Sequence, residues 1–411
     1  MNRCCVENFS IFKTIIGAYF NYTKENDIMK RLVLQLLLFS LTVIFAQVDK
    51  NIYELNTTGN LLTGDVKEII DRNLNDKKIV FLGESNHYFG SDLKAKTEFV
   101  KYLVLEKGYK DIAFEADFFG LYFDHNNNIE ENLYPFWSRS IQGEELFIFL
   151  KKHKVTIWGF DNQMTSGFSR ENFPIKLTKF LNDNAINVDE SFIELIEVFI
   201  KNRSLANKLI GSSKLNMLVN ELSITLKNEK VIENNLWFHF LESFRSDVIM
   251  NSTDNASQKA TIIRDKQMAQ NLDFIVKTMP EKKFVVWLHN SHMIKDNYGT
   301  HSGQTMGFQF VKANPNSSYH IAFSSIHMPY RKPKWIQKSS NNNENILHFL
   351  PTTEKNYFID SRQVIREYPE YLEKEYEGMF IVENRKIKTN WFKHYDALVF
   401  ISKGEDVKLI E

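Results

Sequence analysis

The chain has 411 residues, of which 43% are hydrophobic and 14% aromatic, and its 51 basic and 51 acidic side chains give a formal net charge of +0. That length and apolar content can bury a substantial core, as one large or two ordinary domains, which excludes general disorder. A neutral balance provides no global field for a nucleic acid or an anionic membrane, so neither is expected as a partner. The two cysteines, Cys4 and Cys5, are adjacent near the start, so no disulfide framework or thiol chemistry is expected.

From Met29 the chain reads MKRLVLQLLLFSLTVIFAQ. Basic Lys30 and Arg31, an apolar run over 32–45 and small Ala46 before Gln47 make the pattern of a secretory signal peptide. The run is short of the roughly 20 residues a membrane span needs. Residues 1–28 have no part in such a signal, so translation is expected to start at Met29 and cleavage to follow Ala46. The organisation expected is a 1–46 extension plus signal (29–46 proper), then one domain over 47–411 in the periplasm or the medium. Gln47 stands where a lipoprotein would carry a cysteine, so no stable membrane anchor is expected after cleavage.

Along the mature chain, short apolar runs predict strands at KIVFLG (78–83), DIAFEA (111–116), VTIWGF (155–160), KFVVWLH (283–289), YHIAFSS (319–325) and ALVFIS (397–402). Their near-continuous apolarity suits strands buried on both faces. A helix is predicted over 94–107 from Phe99, Leu103 and Val104, with Gly108 as its stop. The basic run 151–154 reads as a solvated helix end. Residues 172–275 carry helical periodicity, as in FIELIEVFI and LWFHFLESF, and predict a helical insertion or cap with its exit in a polar loop at 251–258. Within RDKQMAQNL, Met268, Leu272 and Ile275 mark a core face, while Arg264 is a candidate counter-ion for a nearby site. The cluster 341–345 reads as a surface loop. The alternation predicts an α/β fold: a mostly parallel central sheet flanked by helices, with a helical insertion.

In open α/β sheets ligands bind beyond the carboxyl ends of the strands. Four predicted strands carry ionisable groups there: Glu84 and His87, Glu115 and Asp117, Asp161 with Gln163 beyond it, and His289 and His292. A carboxylate three residues from an imidazole can fix its tautomer while the ring takes a proton from water. Asp161 and Gln163 either line the same cleft or cap a following helix. The HxxH pair of His289 and His292 could serve as a second base, as oxyanion donors or as metal ligands. A GxSxG elbow, an HExxH helix and a GxxxxGK loop are all missing from the sequence. Two routes remain open: water activated by His and Glu, or a divalent metal on His87, His289 and His292 with the glutamates. His301, His320 and His327 are read as structural.

The ordered stretches LGESNH with KAKTEFVKYLVLEKGY, IAFEAD, GFDNQ, RDKQMAQNL, VVWLHNSHM and YDALVFI resemble the erythromycin esterase family, hydrolases that open the lactone ring of macrolide antibiotics. The resemblance spans roughly residues 75 to 405. It implies a metal-independent, cofactor-free hydrolysis of a small-molecule ester or lactone. His87 would be the essential base, Glu84 its partner and Glu115 a second carboxylate, with His289 and His292 stabilising the oxyanion or protonating the leaving alcohol. Members of the family usually carry Arg where this chain has Lys96; lysine keeps a charge for substrate or oxyanion but lacks the bidentate fork. The helical region shows no match to the family, so the substrate surface is expected to differ, with Phe192, Phe199, Trp237, Phe238 and Phe244 mostly in the core. The alternatives are a metal-dependent hydrolase on the same cluster and a non-enzymatic secreted protein that binds haem or a metal.

Overall fold

A computed structural model describes residues 48–410 apart from 58, 253–257, 296–303, 379 and 383–386. The signal segment, the Met29 start, His301 and most of the 251–258 loop lie outside the described residues. The chain divides into Met1–Lys50 and Asn51–Glu411, and the fold below is that of the second unit.

Strands β1 (Ile52–Leu55), β2 (Ile79–Glu84), β3 (Asp111–Asp117), β4 (Thr156–Asp161), β5 (Phe284–His289), β6 (Ser318–His327), β7 (Asn356–Asp360) and β10 (Ala397–Lys403) form one eight-stranded sheet. Its order is β1-β7-β10-β6-β2-β5-β3-β4, and β8 (Tyr376–Glu377) pairs with β9 (Lys388–Thr389) in a small separate hairpin. From β10 to β4 every pairing is parallel. All six expected strands fall in this run. At the other edge β7 is antiparallel to both β10 and β1. That edge pair, IYEL with NYFID, was not expected: each run is too short and polar to stand out, and pairing against β10 makes them strands.

Residues of β2, β3 and β7 are buried along their whole length, which explains their unbroken apolarity. Helix α1 (Gly64–Leu74) precedes β2, and α2 (Gly90–Glu106) connects β2 to β3. Helix α2 starts four residues before the expected position and stops as expected, with Gly108 in the left-handed region at φ 74°. Helix α3 (Phe118–Asp124) follows β3, with buried Asp117 as its N-cap, and α4 (Ile141–Lys152) ends in exposed Lys151 and Lys152.

Between β4 and β5 the described residues build helices, chiefly α5 (Gly167–Asp183), α6 (Glu190–Lys201), α7 (Ser212–Thr225), α8 (Asn235–Ser252) and α9 (Gln258–Thr278). Phe192, Phe199, Trp237 and Phe244 are buried there and Phe238 is half-buried, so these aromatics pack the layer rather than line a cleft. Met268, Leu272 and Ile275 form the buried face of α9. Asn271 on that helix donates to the Phe160 carbonyl at 3.1 Å and to Ser243 Oγ at 3.0 Å, tying α9 to the end of β4 and to α8. Two bonds at one residue thus set where the second half of α9 meets the sheet.

The 341–345 cluster is a turn, but Asn345 is buried, and its side chain accepts from Leu347 N at 3.0 Å. His320 lies inside β6, bonded to the Met293 carbonyl and Ser318 Oγ, and burial pushes its imidazole down to about 3. His327, at the end of β6, meets the Thr353 carbonyl at 3.1 Å. Both are structural positions. Among the described residues no helix is long and apolar enough to cross a membrane.

Candidate functional site

The four adjacent strands β2, β5, β3 and β4 bring their carboxyl ends together, and with them the side chains singled out by the sequence. Glu84 ends β2 and is fully buried. Gly83 before it is required by close approach rather than by a turn: a Cβ there would collide with the Asn290 side chain and the Met293 thioether. Oε1 of Glu84 lies 2.9 Å from His87 Nδ1, and Oε2 is ion-paired with Lys96 Nζ from α2. The Lys96 ammonium also sits 3.7 Å from the centroid of the Trp287 ring. Desolvation draws Lys96 down to about 8, with Glu84 opposing the fall.

Lys96 is therefore the counter-ion of Glu84. Fully buried, it does not reach a substrate or an oxyanion, which corrects the binding role considered for it.

One turn earlier on α2, buried Asp92 accepts the Ser85 N–H at 3.0 Å, the Ser85 hydroxyl at 2.7 Å and the Ser325 hydroxyl at 2.5 Å. These bonds hold the segment that carries His87. The His87 side chain is 30% exposed, against 0% for Glu84. Its ring stacks on Phe136 with centroids 5.0 Å apart and meets Trp137 edge-on at 5.7 Å. With Nδ1 tied to Glu84, Nε2 is the ring nitrogen left for a ligand.

A second group is built on β3, β4, β5 and α9. Arg264 grips Asp161 through Nε at 3.1 Å and Nη2 at 2.6 Å, while Nη2 also lies 2.7 Å from Glu115 Oε1. Gln163 contributes its backbone N–H to Asp161 Oδ1 at 3.2 Å. Asp161 thus makes a short turn contact of the capping kind and also a buried ion pair with Arg264. Burial opposes ionisation of Glu115, but His292, Arg264, His87 and the His289 N–H together hold its carboxyl well below the usual range. His292 Nε2 lies 3.4 Å from Glu115 Oε1 and 3.3 Å from Arg264 Nη1, and its Nδ1 is bonded to Asp265 Oδ1. Burial works against its charged form, yet Asp265 and Glu115 prevail and raise its pKa.

His289 is placed differently from the expectation. Its Nδ1 accepts the Ser291 N–H at 3.1 Å, so Nε2 carries the proton and donates it to the Ser85 carbonyl at 2.9 Å. Burial, then repulsion from His87 and His292, keeps this imidazole well below its ordinary pKa. With both ring nitrogens engaged, His289 offers neither a ligand to a metal nor a donor to an oxyanion in this arrangement. Among the described residues no three His, Cys, Asp or Glu side chains are disposed to hold a metal ion.

Three contributors had no role in the sequence reading: Asp265, which stands next to Arg264 in RDKQMAQNL, the aromatic pair Phe136 and Trp137, and Asp92. An acid adjacent to the arginine within the helical pattern RDKQMAQNL was the available signal for the first. Nothing local marks the others.

Taken together, the parallel sheet and its strand-end acid–base cluster define an α/β protein with a solvent-reachable imidazole backed by a buried carboxylate. The sequence pattern described as erythromycin esterase matches residues 104–404, and the chain belongs to that family. Glu115, Asp161, Arg264, Asp265, His289 and His292 fall inside the matched segment, and Glu84, His87 and Lys96 lie ahead of it. YbfO of Bacillus subtilis (strain 168), provisionally named a hydrolase, is 27% identical over 271 residues. That alignment covers 54% of this chain and 58% of YbfO, so the chain spans little more than half of that relative's length. A crystal structure of a Bacillus cereus protein superposes with a TM-score of 0.72 at 17% identity, covering 90% of this chain and 99% of that one. A succinoglycan biosynthesis protein gives 0.66 at 15% identity over 90% and 98% of the two chains. An erythromycin esterase mutant in its open conformation gives 0.59 at 15% over 86% and 98%. At these identities the likeness is one of fold.

Proposed function

We propose that this protein is a hydrolase that cleaves a carboxylic ester or lactone in a small molecule, using water activated by His87. The observation that carries the reading is the buried carboxylate of Glu84, bonded on one side to Lys96 and on the other to Nδ1 of a partly exposed His87. Water against Nε2 gives its proton to the ring as its oxygen attacks the carbonyl carbon. Glu84 stabilises the imidazolium that forms, and Lys96 supplies Glu84 with a charge partner. Such general-base assistance is worth about 10²- to 10⁴-fold. Membership of the erythromycin esterase family and the hydrolase name of YbfO support the reaction class. The helices between β4 and β5 would set the substrate, a macrolide being one case.

The test is a panel of alkyl esters and lactones, macrolides included, assayed with and without chelator. Hydrolysis of at least one compound, indifferent to chelator, is expected. Turnover lost on chelation would transfer the cluster to a metal, and no turnover across the panel would overturn the reading. The signal-like segment 29–46 supports a periplasmic or secreted location; a mature N-terminus found elsewhere than near Gln47 would remove that part.

A further inference from the structure

We propose that Asp265 is the positioning residue for His292, and that this pair, rather than His289, is the second proton-transfer unit of the site. The proton-transfer half rests on the hydrolytic reading above; the pairing does not.

Arg264 and Asp265 are consecutive on α9, and successive residues of a helix point about 100° apart at 3.6 residues per turn. Arg264 turns to Asp161 and Glu115, at the ends of β4 and β3, while Asp265 turns to His292 beyond β5. Asp265 is buried, and its Oδ1 accepts the Nδ1–H of His292. That bond selects the tautomer that presents Nε2 to Glu115 and Arg264. The charged groups facing the ring are Asp265 and Arg264 from α9 and Glu115 from β3. His289 stands 6.3 Å away, centroid to centroid, on the same segment. Two carboxylates against one guanidinium favour the imidazolium.

His289 is unsuited to this duty because burial and its neighbours keep it neutral and its one N–H is held by the Ser85 carbonyl, whereas the imidazolium of His292 carries a second N–H, at Nε2, beyond the one given to Asp265. In hydrolysis, the Nε2 proton of charged His292 passes to the alkoxide oxygen as the carbonyl carbon–oxygen bond breaks, giving the alcohol and a neutral ring still bonded to Asp265. The proton taken from water by His87 goes to solvent and one from solvent recharges His292, so the sum is ester plus water to acid plus alcohol.

The test uses the full chain and the variants Asp265→Asn and Asp265→Glu, with two readouts. In ¹⁵N-histidine NMR, Asp265→Asn should lower the His292 pKa by about one unit or more through loss of the counter-charge, with His87 unmoved and Asp265→Glu close to wild type. A His292 titration that does not move in Asp265→Asn overturns the proposal. In kinetics, Asp265→Asn should cut kcat for an alkyl ester by about 10²-fold with KM little changed, yet barely affect the p-nitrophenyl ester, whose leaving group departs without a proton. Equal losses on both esters would make Asp265 merely structural and overturn the proton-transfer role. A wild-type chain that hydrolyses neither ester while His292 still shifts would remove the hydrolytic reading and the proton transfer with it, and would keep the pairing.

Discussion

His289 donates its Nε2–H to the Ser85 carbonyl 2.9 Å away, a bond that ties the end of β5 to the segment of chain carrying His87. The two strands are direct neighbours, with Glu84 opposite His289 in register, so this bond extends their pairing beyond the sheet. His289→Ala should therefore act through His87: removing one partner from buried hydrogen bonds costs about 1–3 kcal/mol each. Thermal denaturation should show a clear drop in Tm, and kcat should fall less than it does on loss of His87 itself. A variant with unchanged Tm would contradict this structural role.

Lys96 gives a pH prediction. Its folded pKa of about 8 lies below the ordinary 10.5, so the folded protein gives up this proton before the unfolded chain does. The contribution of this group to stability accordingly rises, not falls, as pH climbs from about 8 towards 10.5. Turnover goes the other way, because Glu84 loses its charge partner. Activity should decline above about pH 8 with no matching loss of Tm from this group, and Lys96→Arg should push that decline above about pH 10, since guanidinium keeps its proton. An activity profile identical in the two proteins would show that Lys96 does not set the alkaline limb.

Arg264 closes the charge balance between Glu115 and Asp161. Replacing it with Met takes the guanidinium from two buried carboxylates, leaving Glu115 with His292 and the His289 N–H and Asp161 with the Gln163 N–H, and breaking a buried pair from one side costs about 3–5 kcal/mol. Chemical denaturation should register that loss, with Arg264→Lys recovering part of it.

Glu115 controls the acid side. Its carboxyl is held below the usual value by charges that outweigh burial, so the stability it confers is complete above its unfolded pKa of about 4.5 and is lost as pH falls towards the folded value. Stability should rise with pH through the range below about 4.5, and Glu115→Gln should flatten that rise in acid titrations followed by circular dichroism. An unchanged acid profile would contradict the assignment.

Much of the fold was legible in the sequence because parallel strands buried on both faces are apolar from end to end. KIVFLG and KFVVWLH announce themselves without context, and the groups just past them fall at one end of the sheet by topology alone. IYEL and NYFID did not, since their strand character comes from pairing with each other and with β10. At the site, the residue types at strand ends were readable but their divisions of labour were not. The spacing of HNSH alone does not distinguish His289 from His292; the distinction arises from neighbouring Ser291 together with Ser85 and Asp265, which come from distant parts of the chain. Lys96 likewise looked like a cleft residue until α2 placed it beneath Glu84 and against Trp287.

His87 is the residue on which the proposed hydrolysis turns. Steady-state hydrolysis of the best ester or lactone from the panel should be measured for wild type and His87→Ala, with Tm and near-ultraviolet circular dichroism confirming that both are folded. The loss expected is about 10²-fold or more in kcat, with Tm close to wild type because the ring is partly exposed. Near-normal turnover by a folded His87→Ala would contradict the central claim.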